Sequence, residues 1–125
     1  MSHTIKDFLK YEQNEMHINI DRIKHGLKGE DPNNPRLAGS HTILELQEAH
    51  LKFIEELSSR VSSYDEAIHL CREQIIQNEF AHQQVALVES HQATTHSSEW
   101  WYTLQQIQFY TDFLNRIKTW QKAYA

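Results

Sequence analysis

The five residues of this chain that break helices, Gly26, Gly29, Pro32, Pro35 and Gly39, fall in one window, and no glycine or proline follows between Ser40 and Ala125. A fold built of strands needs turn glycines and prolines about every ten residues, whereas helices exclude both from their interiors. The chain is therefore expected to be all-α, built of long helices. At 125 residues it is long enough to bury a core as one domain without disulfides or metal as staples.

Apolar spacing and capping signals divide the sequence into four helices, at about 4–28, 40–62, 64–94 and 98–122. Thr4 with Asp7 resembles a capping box, and the stripe Ile5, Phe8, Leu9, Met16, Ile20, Ile23, Leu27 runs on from it. The segment 30–39 reads as an inter-helix loop. Ser40 is positioned to cap a second helix with Ile43, Leu46, Phe53, Ile54, Leu57 and Val61 on one face. Ser58, Ser59, Ser62 and Ser63 mark a turn, and Ser63 with Glu66 is the cleanest capping box in the chain. Thr94, Thr95, His96, Ser97 and Ser98 interrupt the pattern before Glu99 opens the fourth helix. Short connections predict an antiparallel, up-down four-helix bundle with long third and fourth helices.

Charge and cysteine content exclude several classes of partner. A net charge of -5, with twelve Lys and Arg scattered singly, provides no basic stripe for nucleic acid or an anionic membrane. No apolar run approaches the roughly 18 residues of a membrane span, no secretory signal is evident, and Cys71 has no intramolecular partner. These features lead to the expectation of a cytoplasmic protein.

The third and fourth helices carry more apolar surface than one bundle requires. On the third, Tyr64, Ile68, Cys71, Ile75, Val85 and Ala86 form a main stripe, while His69, Ile76, Phe80 and Leu87 lie nearly opposite at spacings of 7, 4 and 7. On the fourth, Leu104, Ile107, Leu114 and Ile117 serve the core. Tyr102, Phe109, Phe113 and Trp120 then widen the apolar arc to about 220°, against about 100° for a peripheral helix. Trp101 falls among Gln105, Gln108, Asp112 and Asn115 on the polar face. Surplus apolar and aromatic surface of this kind marks protein contacts. The expected partner-binding residues are Ile76, Phe80, Leu87, Trp101, Tyr102, Phe109, Phe113 and Trp120, with a homodimer as the first partner and a second protein as another.

Nine histidines raise the question of metals. Glu12, His50, Asn78 and His82 face inward on the helical wheels but are spread over about four turns, which suits a register-fixing polar layer better than a ligand shell. Glu66 with His69 and Glu79 with His82 both spell ExxH. The second pair is turned about 220° from the first, so they do not converge as a di-iron set would. His41 with Glu45 and His69 with Glu73 read as solvated i,i+4 pairs. Arg36 and His41 have the spacing of a HEPN-type ribonuclease motif without the rest of that pattern. No nucleophile elbow, phosphate loop or dinucleotide fingerprint occurs, and Cys71 lies on the core stripe.

One string resembles a known site. His25-Gly26-Leu27-Lys28-Gly29 is similar to the HxLKG signature of histidine phosphotransfer domains, and Leu37-Ala38-Gly39 with Ile43, Glu45 and Leu46 resembles the glycine and helix that follow it there. That family consists of four-helix bundles in which an exposed histidine accepts phosphate from a response regulator. The resemblance implies His25 as phosphoacceptor and Lys28 as its electrostatic neighbour. The principal expectation is nevertheless a non-enzymatic protein–protein interaction module, with no cofactor and no metal: an adaptor, assembly component, chaperone-like or inhibitory binding protein. A phosphotransfer protein centred on His25 is the alternative, and a metal-binding helical bundle the second.

Overall fold

A computed structural model of the protein describes residues 3–31, 33–89 and 97–124. Pro32, Thr94, Thr95 and His96 lie outside them, as does the expected part of the third helix beyond residue 89. The described residues form four helices and no strand: α1 (Ile5–Leu27), α2 (Ala38–Arg60), α3 (Tyr64–Glu89) and α4 (Ser98–Tyr124), with a short 3-10 helix at Pro35–Leu37 before α2. The chain divides into two compact units, residues 3–62 and residues 63 onward. Each contains one pair of helices.

In the first unit, α1 starts at the predicted capping box. The Asp7 N–H donates to Thr4 Oγ1 at 3.4 Å and the Thr4 N–H donates to Asp7 Oδ2 at 2.9 Å. The Thr4 backbone N–H foremost, with the Thr4 hydroxyl 3.3 Å from the same oxygen, holds the Asp7 carboxyl below the usual carboxylate range. At its other end α1 closes in a turn: Lys28 is extended, Gly29 sits at φ 82°, and the Glu30 N–H returns to the Leu27 carbonyl at 3.2 Å. This is the pattern of a type II turn, whose third position needs a left-handed conformation that only glycine adopts without strain. Gly29 is thus explained by backbone geometry.

The second helix begins two residues before the expected Ser40 cap. Asn34 Oδ1 accepts from the Arg36 N–H at 3.0 Å and Pro35 enters the 3-10 turn directly, so the helical path is set before Ser40 is reached. Leu37, at the α2 cap position, contributes no side-chain bond. Ser58 and Ser59 are helical too, and Ser59 returns its hydroxyl to the Glu56 carbonyl at 2.9 Å. The non-helical connection shrinks to Val61–Ser63.

α1 and α2 run antiparallel. Near one end Lys6 Nζ donates to the Ser58 carbonyl, His17 faces Glu55 at 4.0 Å, and near the other end Lys24 lies 3.7 Å from Glu48. Ile5, Phe8, Leu9, Met16 and Ile20 are buried on α1, and Ile54, Leu57 and Val61 at the far end of α2. Toward the connecting loop burial fades: Ile23, Leu27 and Leu46 are half-buried and Ile43 is exposed.

In the second unit, Ser63 Oγ accepts from the Glu66 N–H at 3.1 Å and opens α3 as predicted. Only Ala67, Ile68 and Cys71 are buried on this helix; Tyr64, Ile75, Val85 and Ala86, expected in the core, are half-buried. Beyond Cys71 the apolar residues of α3 divide between two sides of the helix, with Ile75, Val85 and Ala86 on the inner side and Ile76, Phe80 and Leu87 on another. On α4 the buried residues are Thr103, Gln106, Tyr110, Phe113, Leu114 and Ile117. Leu104 and Ile107, expected to serve the core, are half-buried instead. The spacing 103, 106, 110, 113, 117 alternates three and four, a seam that follows one side of a helix continuously. An apolar arc as wide as that of α4 does not specify its own centre; packing selected the side bearing Phe113.

Candidate functional site

α3 turns three large apolar residues of the predicted set outward. Ile76 is 65% exposed, Phe80 63% and Leu87 64%, and Val88, absent from the expectation, is 69% exposed. Glu73, Ile76, Phe80, Gln83 and Leu87 are spaced three, four, three and four residues apart, so they share one seam at a mean period of 3.5. One turn before Ile76, between exposed side chains, His69 Nε2 lies 2.9 Å from Glu73 Oε1. Cys71, on the other side of the helix, is fully buried, and burial pushes its thiol up to about 12.

The α4 members of the predicted set do not share one surface. Trp101 and Tyr102 are each about half exposed. Trp101 meets Trp100 edge-on at 4.8 Å, and the Tyr102 hydroxyl accepts from Gln106 Nε2 at 3.1 Å. Phe109 is half-buried, stacked on Phe113 at 5.7 Å and edge-on to Tyr110 at 5.0 Å. Trp120 is half-buried with its ring 4.6 Å from Tyr124. Phe113 is a correction: with no exposed surface it belongs to the interior, because its place in the 103–117 seam outweighs its place on the expected outer arc.

The inward polar residues have separate uses. Glu12 and His50 are buried in the first unit. Asn78 gives its amide to the Gln74 carbonyl of its own helix at 2.8 Å. His82 Nδ1 lies 2.7 Å from Thr103 Oγ1, with the Trp100 ring 5.0 Å away. Thr103 Oγ1 is also 3.1 Å from the Glu99 and Trp100 carbonyls. A hydroxyl has one proton, so Thr103 either donates to its own helix while accepting from His82 Nδ1–H, or donates to an unprotonated Nδ1. The contact ties α3 to α4. Of the two ExxH pairs, Glu66 serves the α3 cap and His69 is held by Glu73, while His82 is held by Thr103. Among the described residues no three His, Cys, Asp or Glu side chains gather as a metal site would require.

His25 is exposed in the last turn of α1. It borders a cleft shared with Lys24, Leu27 and Lys28 on its own side and His41 and Leu44 of α2. The neighbourhood of His41 was not legible in the sequence, where the residue reads as half of a solvated pair with Glu45. Starting α2 at Ala38 turns His41 into the hairpin instead, and its ring is half-buried. The backbone N–H of Arg36 donates to Asn34 Oδ1, which caps the 3-10 turn.

Among the described residues no helix is long and apolar enough to cross a membrane. No known protein family, curated protein or solved structure matches the chain.

Proposed function

We propose that this protein is a non-enzymatic interaction module whose docking surface is the outer seam of α3, and that its first partner is a second copy of itself. The exposure of Ile76, Phe80 and Leu87 on a helix with no fully buried apolar residue beyond Cys71 carries this reading. Apolar side chains gathered along one helix favour removal from water at about 25 cal/mol per Å² of apolar area. A seam of period 3.5 suits another helix, and each copy supplies the same seam. Trp101 and Tyr102 offer further aromatic surface at the start of α4.

The union of all four helices in one up-down bundle belongs to this proposal, as does a cytoplasmic setting, for which the single unpaired cysteine is the support. One cooperative unfolding transition by circular dichroism would agree with the single bundle. No catalytic residue, cofactor or metal is assigned.

Sedimentation velocity tests self-association. The expected result is a dimer that Phe80→Asp converts to monomer with its helical content retained, since an unpaired carboxylate in a desolvated seam is strongly unfavourable. A wild-type monomer at high concentration overturns it.

A further inference from the structure

The outer seam of α3 has a polarity that reads alike in both directions. From Glu73 through Ile76 and Phe80 to Gln83 the order is polar, apolar, apolar, polar, with His69 and Leu87 as the next members at either end. The pairs 73 with 83, 76 with 80 and 69 with 87 are all centred on the level of Asn78. Every one of these six residues is exposed. The other side of the helix, where Ala67, Ile68 and Cys71 are buried, is already in use.

Two copies of such a seam can meet in two ways. If both helices point the same way, each residue faces its own counterpart, and the two Glu73 carboxylates share one layer from which water is being removed. Like charges brought together there repel without compensation. If the helices point opposite ways, each layer joins different residues. A pair centred on Asn78 then sets Ile76 of each copy on Phe80 of the other and brings each Gln83 to the other copy's Glu73. The amide has two N–H donors and the carboxylate two oxygens, of which Oε1 is already 2.9 Å from His69 Nε2. Slipping this pair by one layer sets Phe80 against Gln83 in one direction and against His69 in the other, so apolar no longer meets apolar at the centre. Glu79 lies beside the axis and approaches its own counterpart, but at an exposed position, where salt screens the repulsion.

Given self-association through α3, on which this rests, we infer that the two α3 helices pack antiparallel about a two-fold axis at the level of Asn78, Ile76 of each copy on Phe80 of the other and Glu73 accepting from Gln83 of the other. Such an interface uses the same patch on both copies and closes on itself, so assembly stops at the dimer.

Two measurements on the full chain test the orientation. The first is the distance between nitroxides attached at position 69 of the His69→Cys variant, by double electron–electron resonance; His69 is exposed, whereas the native Cys71 is fully buried and escapes the label. Antiparallel packing puts position 69 opposite position 87, so the two labels are expected about 27 Å apart along the axis at about 1.5 Å per residue. Parallel packing would hold them one interhelix spacing apart, about 10 Å, and a one-layer slip would move them about 10 Å from the expected value. The second measurement compares Gln83→Lys with Gln83→Glu by sedimentation velocity. With position 83 facing Glu73, Gln83→Lys is expected to dimerise at least about tenfold more tightly than Gln83→Glu; parallel packing sets like on like and weakens both alike. A dimer with labels about 10 Å apart or displaced by a layer, or equal weakening by the two substitutions, overturns the antiparallel pairing and leaves self-association standing. A wild-type chain that stays monomeric overturns both.

Discussion

The two helical hairpins differ in the polar contacts that cross from one helix to the other. Between α1 and α2 three of the polar contacts are on the surface, Lys6 to the Ser58 carbonyl, His17 to Glu55 and Lys24 to Glu48, while Glu12 and His50 are buried in the same hairpin. Between α3 and α4 a part-buried contact, His82 to Thr103, crosses the pair in addition to the exposed bond from the Ser97 N–H to Glu89 Oε1, and the α4 seam passes from polar Thr103 and Gln106 to apolar Phe113 and Ile117. Surface pairs are solvated in both the bound and the separated state and contribute little. A covered hydrogen bond has no such alternative, so its loss is felt in full. Two hairpins of similar length therefore differ in where a polar substitution matters.

Substitutions along the second hairpin give the largest contrasts. Phe113→Ala, which empties a fully buried position, should cost about 3–5 kcal/mol in urea unfolding. Phe80→Ala, on the exposed seam of the same hairpin, should stay within about 0.5 kcal/mol when measured on the isolated monomer. Equal costs would mean that the seam of α3 is core after all. His82→Leu should cost about 0.5–1.5 kcal/mol, the net worth of the bond, since Thr103 keeps the Glu99 and Trp100 carbonyls of its own helix, and the double change with Thr103→Val should recover part of it. A neutral single substitution would remove the distinction between the hairpins.

Cys71 gives the contrast a pH dependence. Burial raises its thiol to about 12 from 9.0, so the folded chain keeps a proton that the unfolded chain releases. Its contribution is fully present below about pH 9 and is lost as pH rises through 12. Urea unfolding at pH 8 and pH 10 should differ by about 1 kcal/mol, the higher pH being less stable, and Cys71→Ala should remove most of that difference. Smallest is the surface pair: Lys24→Met should change stability by less than about 0.5 kcal/mol, and salt should erase even that.

Helix identity was legible because its signals are local. Thr4 with Asp7 and Ser63 with Glu66 bond within four residues of each helix start, and nothing distant competes with them. The extent of burial was less legible. Ile43 and Ile54 sit on the same predicted stripe of α2, yet one is half exposed and the other fully covered, because only a neighbouring helix decides how far a stripe is used. Ser40 was misassigned as a cap since Asn34 and Pro35 had already set the helical path upstream. On α3 the outward orientation of Ile76, Phe80 and Leu87 followed from spacing alone. Phe113 did not, because a broad apolar arc on α4 fits two rotations of the helix and its pattern favours neither. The cleft by His25 had no sequence signal, since it depends on where α2 begins.

The tryptophans at the start of α4 make this part of the molecule optically distinct. Trp100 and Trp101 meet edge-on at 4.8 Å with an interplanar angle of 85°, a separation at which two indoles share their excited states. Their coupled transitions should add a paired positive and negative band to the ultraviolet dichroism that neither indole produces alone. Trp120 lies nearly twenty residues further along α4, where its ring meets Tyr124. The couplet therefore reports the first turn of α4 alone, and its disappearance on heating before the helical signal falls would mean that the Trp100–Trp101 end loosens first.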